Sequence, residues 1–186
     1  MNRRRTAIVC AAVFLSLGTG CDRAPNAAAL QAKFDEAERL CLDQRYEDAQ
    51  KLLKEYLLLD PDHPGAHFYL ARTYMASRDI RETSLAENEY QMALRLFERQ
   101  GRVSGIKRFD PRYFEMMCHL NSATTLEIQA RILAQDRTLI PVALESLRRA
   151  LEYVERARAV NPKASEIEIV GEPIRELAGR LQAAAR

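Results

Sequence analysis

An all-α fold is predicted by three observations. Apolar residues recur at three- and four-residue steps through most of the chain, which is the helical period. Proline-bearing turns punctuate these stretches at Asp60-Pro61-Asp62-His63-Pro64, Asp110-Pro111 and Asn161-Pro162. Seven Gly and seven Pro in 186 residues, with no Trp, are too few for a loop-rich β fold or a disordered chain. The hydrophobic fraction of 47% and charged fraction of 29% fit a single globular domain with a real core.

Residues 1–21 stand apart from that domain. Arg3, Arg4 and Arg5 form a positive n-region, Thr6 to Leu17 is a mostly apolar run, and Gly18-Thr19-Gly20 supplies small residues before Cys21. This is an export signal, and at about a dozen residues its core is too short to span a bilayer. The stretch Leu17 to Cys21 resembles a bacterial lipoprotein signal. That resemblance implies a cysteine that is acylated, freed by a dedicated peptidase and left as the membrane-anchored N-terminus, so Cys21 is the expected lipidation site. It departs from the family in having Gly18 where a large apolar residue is preferred. Gly18 and Gly20 also admit ordinary signal peptidase, so a soluble periplasmic or secreted protein is the alternative. Removing three arginines leaves 25 basic against 26 acidic side chains, a balance that does not suggest nucleic acid as a partner.

Residues 22–29 read as a short tether. The first helix follows, with Leu30, Phe34, Ala37 and Cys41 on one face. The second carries Ala49, Leu52, Leu53, Tyr56 and Leu57 and ends at Asp60-Pro61, since the residue before proline resists the α conformation. A small-x3-large-x2-small pattern then recurs. It appears as Ala49-x3-Leu53-x2-Tyr56-x4-Pro61, as Ala86-x3-Tyr90-x2-Ala93, and as Ala150-x3-Val154-x2-Ala157-x4-Pro162. First-helix patterns accompany it: Lys33-x2-Glu36-Ala37-x2-Leu40, His67-x2-Leu70-Ala71-x2-Tyr74 and Phe114-x2-Met117-Cys118-x2-Asn121.

Together these motifs, over residues 30–162, resemble three divergent tetratricopeptide repeats. The resemblance implies antiparallel helical hairpins stacked as a short right-handed solenoid. Ala37, Ala71 and Cys118 would be the small residues that let helix backbones approach. The second hairpin carries about three extra residues around Asp79 to Ser84. The third has a first helix running to about Gln135, before a partner that starts at Thr138-Leu139-Ile140-Pro141. Residues 163–186 should cap the solenoid. Ser165-Glu166-Ile167-Glu168 reads as a capping box, Gly171-Glu172-Pro173 as an interruption, and Ile174, Leu177, Ala178 and Leu181 as the apolar face of a final helix.

The chemistry-bearing residues read mostly as structure. Cys41 and Cys118 would sit on first helices with that of the second hairpin between them, about 20 Å from each other at 8–10 Å per neighbouring helix, beyond the ~7 Å reach of a disulfide. His63 and His67, near Asp60 and Asp62, read as a turn residue and a packing position rather than metal ligands, and Glu115 with His119 as a polar spot without a third ligand. Arg102, Lys107 and Arg108 read as a solvated connector, and Met116-Met117 as core. No nucleophile elbow, phosphate loop, paired-carboxylate motif or CxxC is present, so neither an enzyme nor a cofactor is expected.

The function expected is a protein-interaction module: an envelope-anchored scaffold or assembly factor that binds another envelope protein or peptide. The alternative is a small accessory subunit acting through homodimerisation. In the resembled family, ligand contacts come from first-helix positions lining a concave groove. Transferred here, they fall on Phe34, Glu38 and Cys41; on Phe68, Arg72 and Met75; and on Arg112, Glu115 and His119. Phe34, Phe68 and Met75 would form an apolar floor.

Overall fold

A computed structural model describes residues 26–77 and 79–185. The expected export signal, Cys21 and the first residues of the expected tether lie outside the described residues. Seven helices follow in order: α1 Ala27–Leu42, α2 Tyr46–Leu57, α3 Pro64–Ala76, α4 Ile80–Arg99, α5 Pro111–Leu133, α6 Ile140–Val160 and α7 Glu166–Ala184. A single 3-10 turn, Arg137–Leu139, leads into α6, and there is no strand among the described residues.

The starts are set by short polar side chains and prolines. Asn26 caps α1 by accepting from the Ala28 amide at 3.1 Å, so Ala27 to Ala29 are helix rather than tether, as three of the best helix formers should be. Asp79 accepts from the Arg81 amide at 2.8 Å, and the extra residues around it become the first turn of a 20-residue α4. His63 and Asp110 cap α3 and α5, and in both the next residue is a proline at the first helical position, where its missing N–H costs nothing.

The helices stack as hairpins, α1 with α2, α3 with α4 and α5 with α6, each packed against the next. First helices also touch one another, α1 with α3, α3 with α5, and α5 with α7, so they share one side of the solenoid. Ala37, Ala71, Cys118, Ala86, Ala93, Ala150 and Ala157 are fully buried. A larger side chain at these crossings would push the backbones apart. One core fills α1 to α4 and reaches Phe114 and Cys118; a second fills α5 to α7 around Met116, Leu120, Leu147 and Ile174. The thiols of Cys41 and Cys118 are free and buried, and burial pushes Cys41 up to about 12.

The C-terminal segment differs from expectation in two ways. Ser165 makes no capping bond, so the capping box does not form. Gly171-Glu172-Pro173 does not interrupt the segment either, for α7 runs through Pro173 unbroken. Pro173 lies on the exposed face, where the carbonyl of Ile169 that it leaves without an N–H can meet water. Gly171 is buried and marks a close approach, since a Cβ there would lie 3.2 Å from Val154 on α6.

Candidate interaction cleft

On the side shared by the first helices lies a cleft of about 280 Å³. Phe68, Arg72 and Met75 line it from one face of α3, at helical steps of four and three residues. Tyr113, Met117 and Asn121 line it from α5 at steps of four, Leu42 closes it from the end of α1, and Arg108 and Phe109 enter from the α4–α5 connector. Its floor is an aromatic stack: the Phe68 ring meets Phe109 edge-on at 5.7 Å, and Phe109 meets Tyr113 edge-on at 5.0 Å. Edge-to-face contacts of this kind fix ring positions beyond what burial alone supplies.

The rim carries two guanidiniums, one of which, Arg108, is paired with Glu38 outside the lining. Among the described residues no carboxylate lines the cleft. Arg72 and Arg108 both approach the Tyr69 ring at 5.9 Å, and Arg108 also lies 5.1 Å over Phe109. Arg108 is already paired with Glu38 at 3.0 Å, so Arg72 beside the apolar floor is the guanidinium that suits a segment carrying a carboxylate next to an aromatic or aliphatic side chain.

Of the nine residues expected to line a groove, Phe68, Arg72 and Met75 are brought together at this cleft. Phe34 and Cys41 are 1% exposed and belong to the core. Phe34 packs against Tyr56, His63 and Tyr69, and Cys41 faces the Tyr69 carbonyl, so both are spent on joining α1 to its neighbours. Phe68 is as deeply buried and meets the cleft only as part of its floor. Glu38 is taken by Tyr69 and Arg108.

Arg112, Glu115 and His119 do not reach the cleft. At 100° per residue, Glu115 and His119 lie opposite Met117 on α5. Glu115 instead pairs with Arg102, and His119 stacks on Tyr153 of α6 at 6.1 Å. Burial pushes the His119 imidazole below its ordinary value.

The α4–α5 connector is the part that sequence reasoning missed. Arg102, Lys107 and Arg108 are not solvated bystanders. Arg102 pairs with Glu115, Lys107 with Asp35 at 3.5 Å, and Arg108 with Glu38 at 3.0 Å. Ile106 is buried against Gly65 and Phe34. The available signal was Ile106 and Phe109 bracketing the two basic residues, apolar anchors that a solvated loop would not need.

A second cleft, of about 550 Å³, opens at the far end between the α1–α2 turn and the end of α3. Its walls mix Arg45, Glu47, Asp48 and Glu82 with neutral polar residues, Tyr46 and Ala76, and they lack the edge-to-face aromatic stack of the first cleft. His63 and His67 serve the fold: His63 caps α3 through Nδ1, and His67 bonds Glu89 and the Pro61 carbonyl at 2.5 and 2.8 Å. Among the described residues no group of three His, Cys, Asp or Glu stands together as a metal site. No helix among them is long and apolar enough to cross a membrane.

Residues 40–82, from the end of α1 through the start of α4, match the family model of the tetratricopeptide repeat. Comparison with curated proteins and with solved structures gave no match. The repeat match and the stacked hairpins agree on an all-α, tetratricopeptide-like solenoid, and the repeat supports a role in protein–protein interaction.

Proposed function

We propose that this chain is an exported scaffold or assembly factor of the bacterial cell envelope. It is anchored through an acylated Cys21 and holds an extended segment of another envelope protein across the α3–α5 cleft. The observation that carries the reading is the cleft itself: Phe68, Phe109 and Tyr113 beneath Arg72 and Arg108, with no carboxylate among the described residues of its lining. Large aromatic surface beside arginine is the composition of binding hot spots, where few residues carry most of the affinity. The cysteine behind an apolar run and the tetratricopeptide match over residues 40–82 support the address and the module.

The test is photo-crosslinking in cells, with a photoreactive residue replacing Arg72 or, as control, Arg112, which lies on α5 outside the cleft. A partner band at position 72 that is absent at 112 and lost on adding Met117→Asp is the expected result. Strong capture at 112 with none at 72 would reject the cleft. A band at twice the chain mass would transfer the proposal to the homodimer reading.

A further inference from the structure

Antiparallel hairpins gather the start of α1, the α2–α3 turn, the α4–α5 connector and the α6–α7 turn at one end of the solenoid. Direct contacts tie the first three of these: Arg99 at the end of α4 pairs with Asp62 at 2.8 Å, and Lys107 of the connector with Asp35 on α1 at 3.5 Å. The most exposed large apolar residues of the described chain lie at this end. Leu58 is 84% exposed, Ile169 69% and Val103 60%, whereas no such described residue at the other end exceeds 51%. Single exposed leucines are ordinary. Large apolar residues are exposed at both ends, but the three most exposed lie at the end where the chain leaves toward Cys21.

We infer that this end faces the bilayer and that Leu58, Leu59 and Val103 enter the lipid interface beside the acyl anchor. The inference rests on the anchoring reading proposed above. Cys21 and the Asn26 cap are five residues apart, a span of at most about 18 Å in any conformation. That is shorter than the 16-residue α1, about 24 Å long. An acylated Cys21 therefore holds the start of α1 against the headgroups, with the α2–α3 turn beside it. Of the carboxylates that follow Leu58 and Leu59 in the turn, Asp62 is paired with Arg99, and Asp60 accepts from the neutral Tyr56 hydroxyl at 3.1 Å and keeps its charge. At the headgroup level the Asp60 carboxylate can stay hydrated while the leucine side chains reach deeper. The cleft then has its connector wall, Arg108 and Phe109, toward the headgroups, and runs along the flank of the helices to Leu42 and Met75 at the far end of α1 and α3.

The chain contains no Trp, so single tryptophans report location without background. The acylated protein carrying Leu58→Trp, Val103→Trp or, at the far end, Val142→Trp is placed in vesicles of phosphatidylethanolamine and phosphatidylglycerol. The vesicles are doped with a phosphatidylcholine brominated in its acyl chains. Blue-shifted, bromine-quenched emission at 58 and 103, with unquenched emission at 142, is expected. Quenching at both ends would mean the solenoid lies flat. Unquenched emission from the Leu58→Trp variant, in protein shown to be acylated, would mean this end faces away. Either outcome overturns the orientation alone. A blue shift at 58 without vesicles that grows with protein concentration would assign the patch to a protein contact and also overturn it. Absence of fatty acid on Cys21 in the wild type removes the anchor and the orientation together.

Discussion

Arg108, in the connector between α4 and α5, holds its Nε 3.0 Å from Oε1 of Glu38 on α1. Tyr69 donates its hydroxyl to the same carboxylate at 2.6 Å, which makes one polar knot of α1, α3 and the connector. Burial and the bond to Glu38 raise the Tyr69 phenol well above its ordinary value, so it remains the donor at any physiological pH. Because Arg108 is over a third exposed, solvent screens the pair. Arg108→Ala should therefore cost no more than about 1 kcal/mol globally. It should nevertheless speed amide exchange across residues 101–110, which a hydrogen-exchange map would show as a local loss of protection.

Ala71 and Ala157 are fully buried where helices cross. Replacing either with Leu should overpack the crossing and cost roughly 1–3 kcal/mol. Ala184→Leu, at an exposed position in the last turn of α7, should change stability by less than about 0.5 kcal/mol. Thermal melts of the three variants test the assignment; equal shifts would mean that the small residues are not at crossings.

Two helical glycines should respond to alanine with opposite sign. A Cβ on Gly65 would lie 2.7 Å from the Ser104 carbonyl and 2.8 Å from Ile106, and the carbonyl is backbone that cannot swing aside. Gly65→Ala should thus lift the connector and destabilise by about 1–3 kcal/mol. Gly179 has nothing within 4 Å of such a Cβ. There the better helix propensity of Ala acts unopposed, and Gly179→Ala should stabilise by up to about 1 kcal/mol. Denaturant midpoints at constant slope would read both.

These residues also show where the sequence was informative. The small residues at crossings were legible because only Gly, Ala or Cys fits there, so the residue type itself reports the contact. Pro64 pinned the start of α3 and with it the face that carries Phe68, Arg72 and Met75. On α5 the same counting from Pro111 chose Arg112, Glu115 and His119. That helix buries Phe114, Met116, Cys118 and Leu120, which point in several directions around its axis. With apolar residues on nearly every side, periodicity cannot tell the side toward α3 from the side toward α6. The knot at Glu38 was out of reach for another reason: nothing local in Gly101 to Asp110 encodes a partner on α1.

His67 should give stability a pH dependence of definite sign. Burial disfavours its charge, but the Glu89 carboxylate and the Pro61 carbonyl outweigh burial and raise its value above 6.5. A raised folded value means the stabilisation is full below about pH 6.5 and is lost as pH rises through the folded value. The stability difference between wild type and His67→Gln should therefore be larger at about pH 5.5 than at about pH 8.5. His63 and His119, both lowered first of all by burial, act in the opposite sense: their contribution is present above 6.5 and lost on acidification. The His67→Gln comparison cancels them, because both proteins contain them. A larger difference at the alkaline pH would contradict the His67–Glu89 assignment.

The anchor can be tested separately from the fold. α1 begins at Ala27 and is capped by Asn26, five residues beyond Cys21. Cys21→Ser should leave the melting temperature and helical circular dichroism of the exported domain unchanged, while moving the protein from the membrane to the soluble fraction. The shift should be large because several acyl chains act together: one chain binds only marginally, at about 0.8 kcal/mol per buried methylene, whereas two or more hold stably. Labelled fatty acid should appear on the wild type and disappear from the variant. If the wild type fractionates as soluble and takes up no label, ordinary signal peptidase has cut the chain and the anchored reading fails. If the variant stays on the membrane without label, a bound partner holds it there, and a high-salt or carbonate wash should release it.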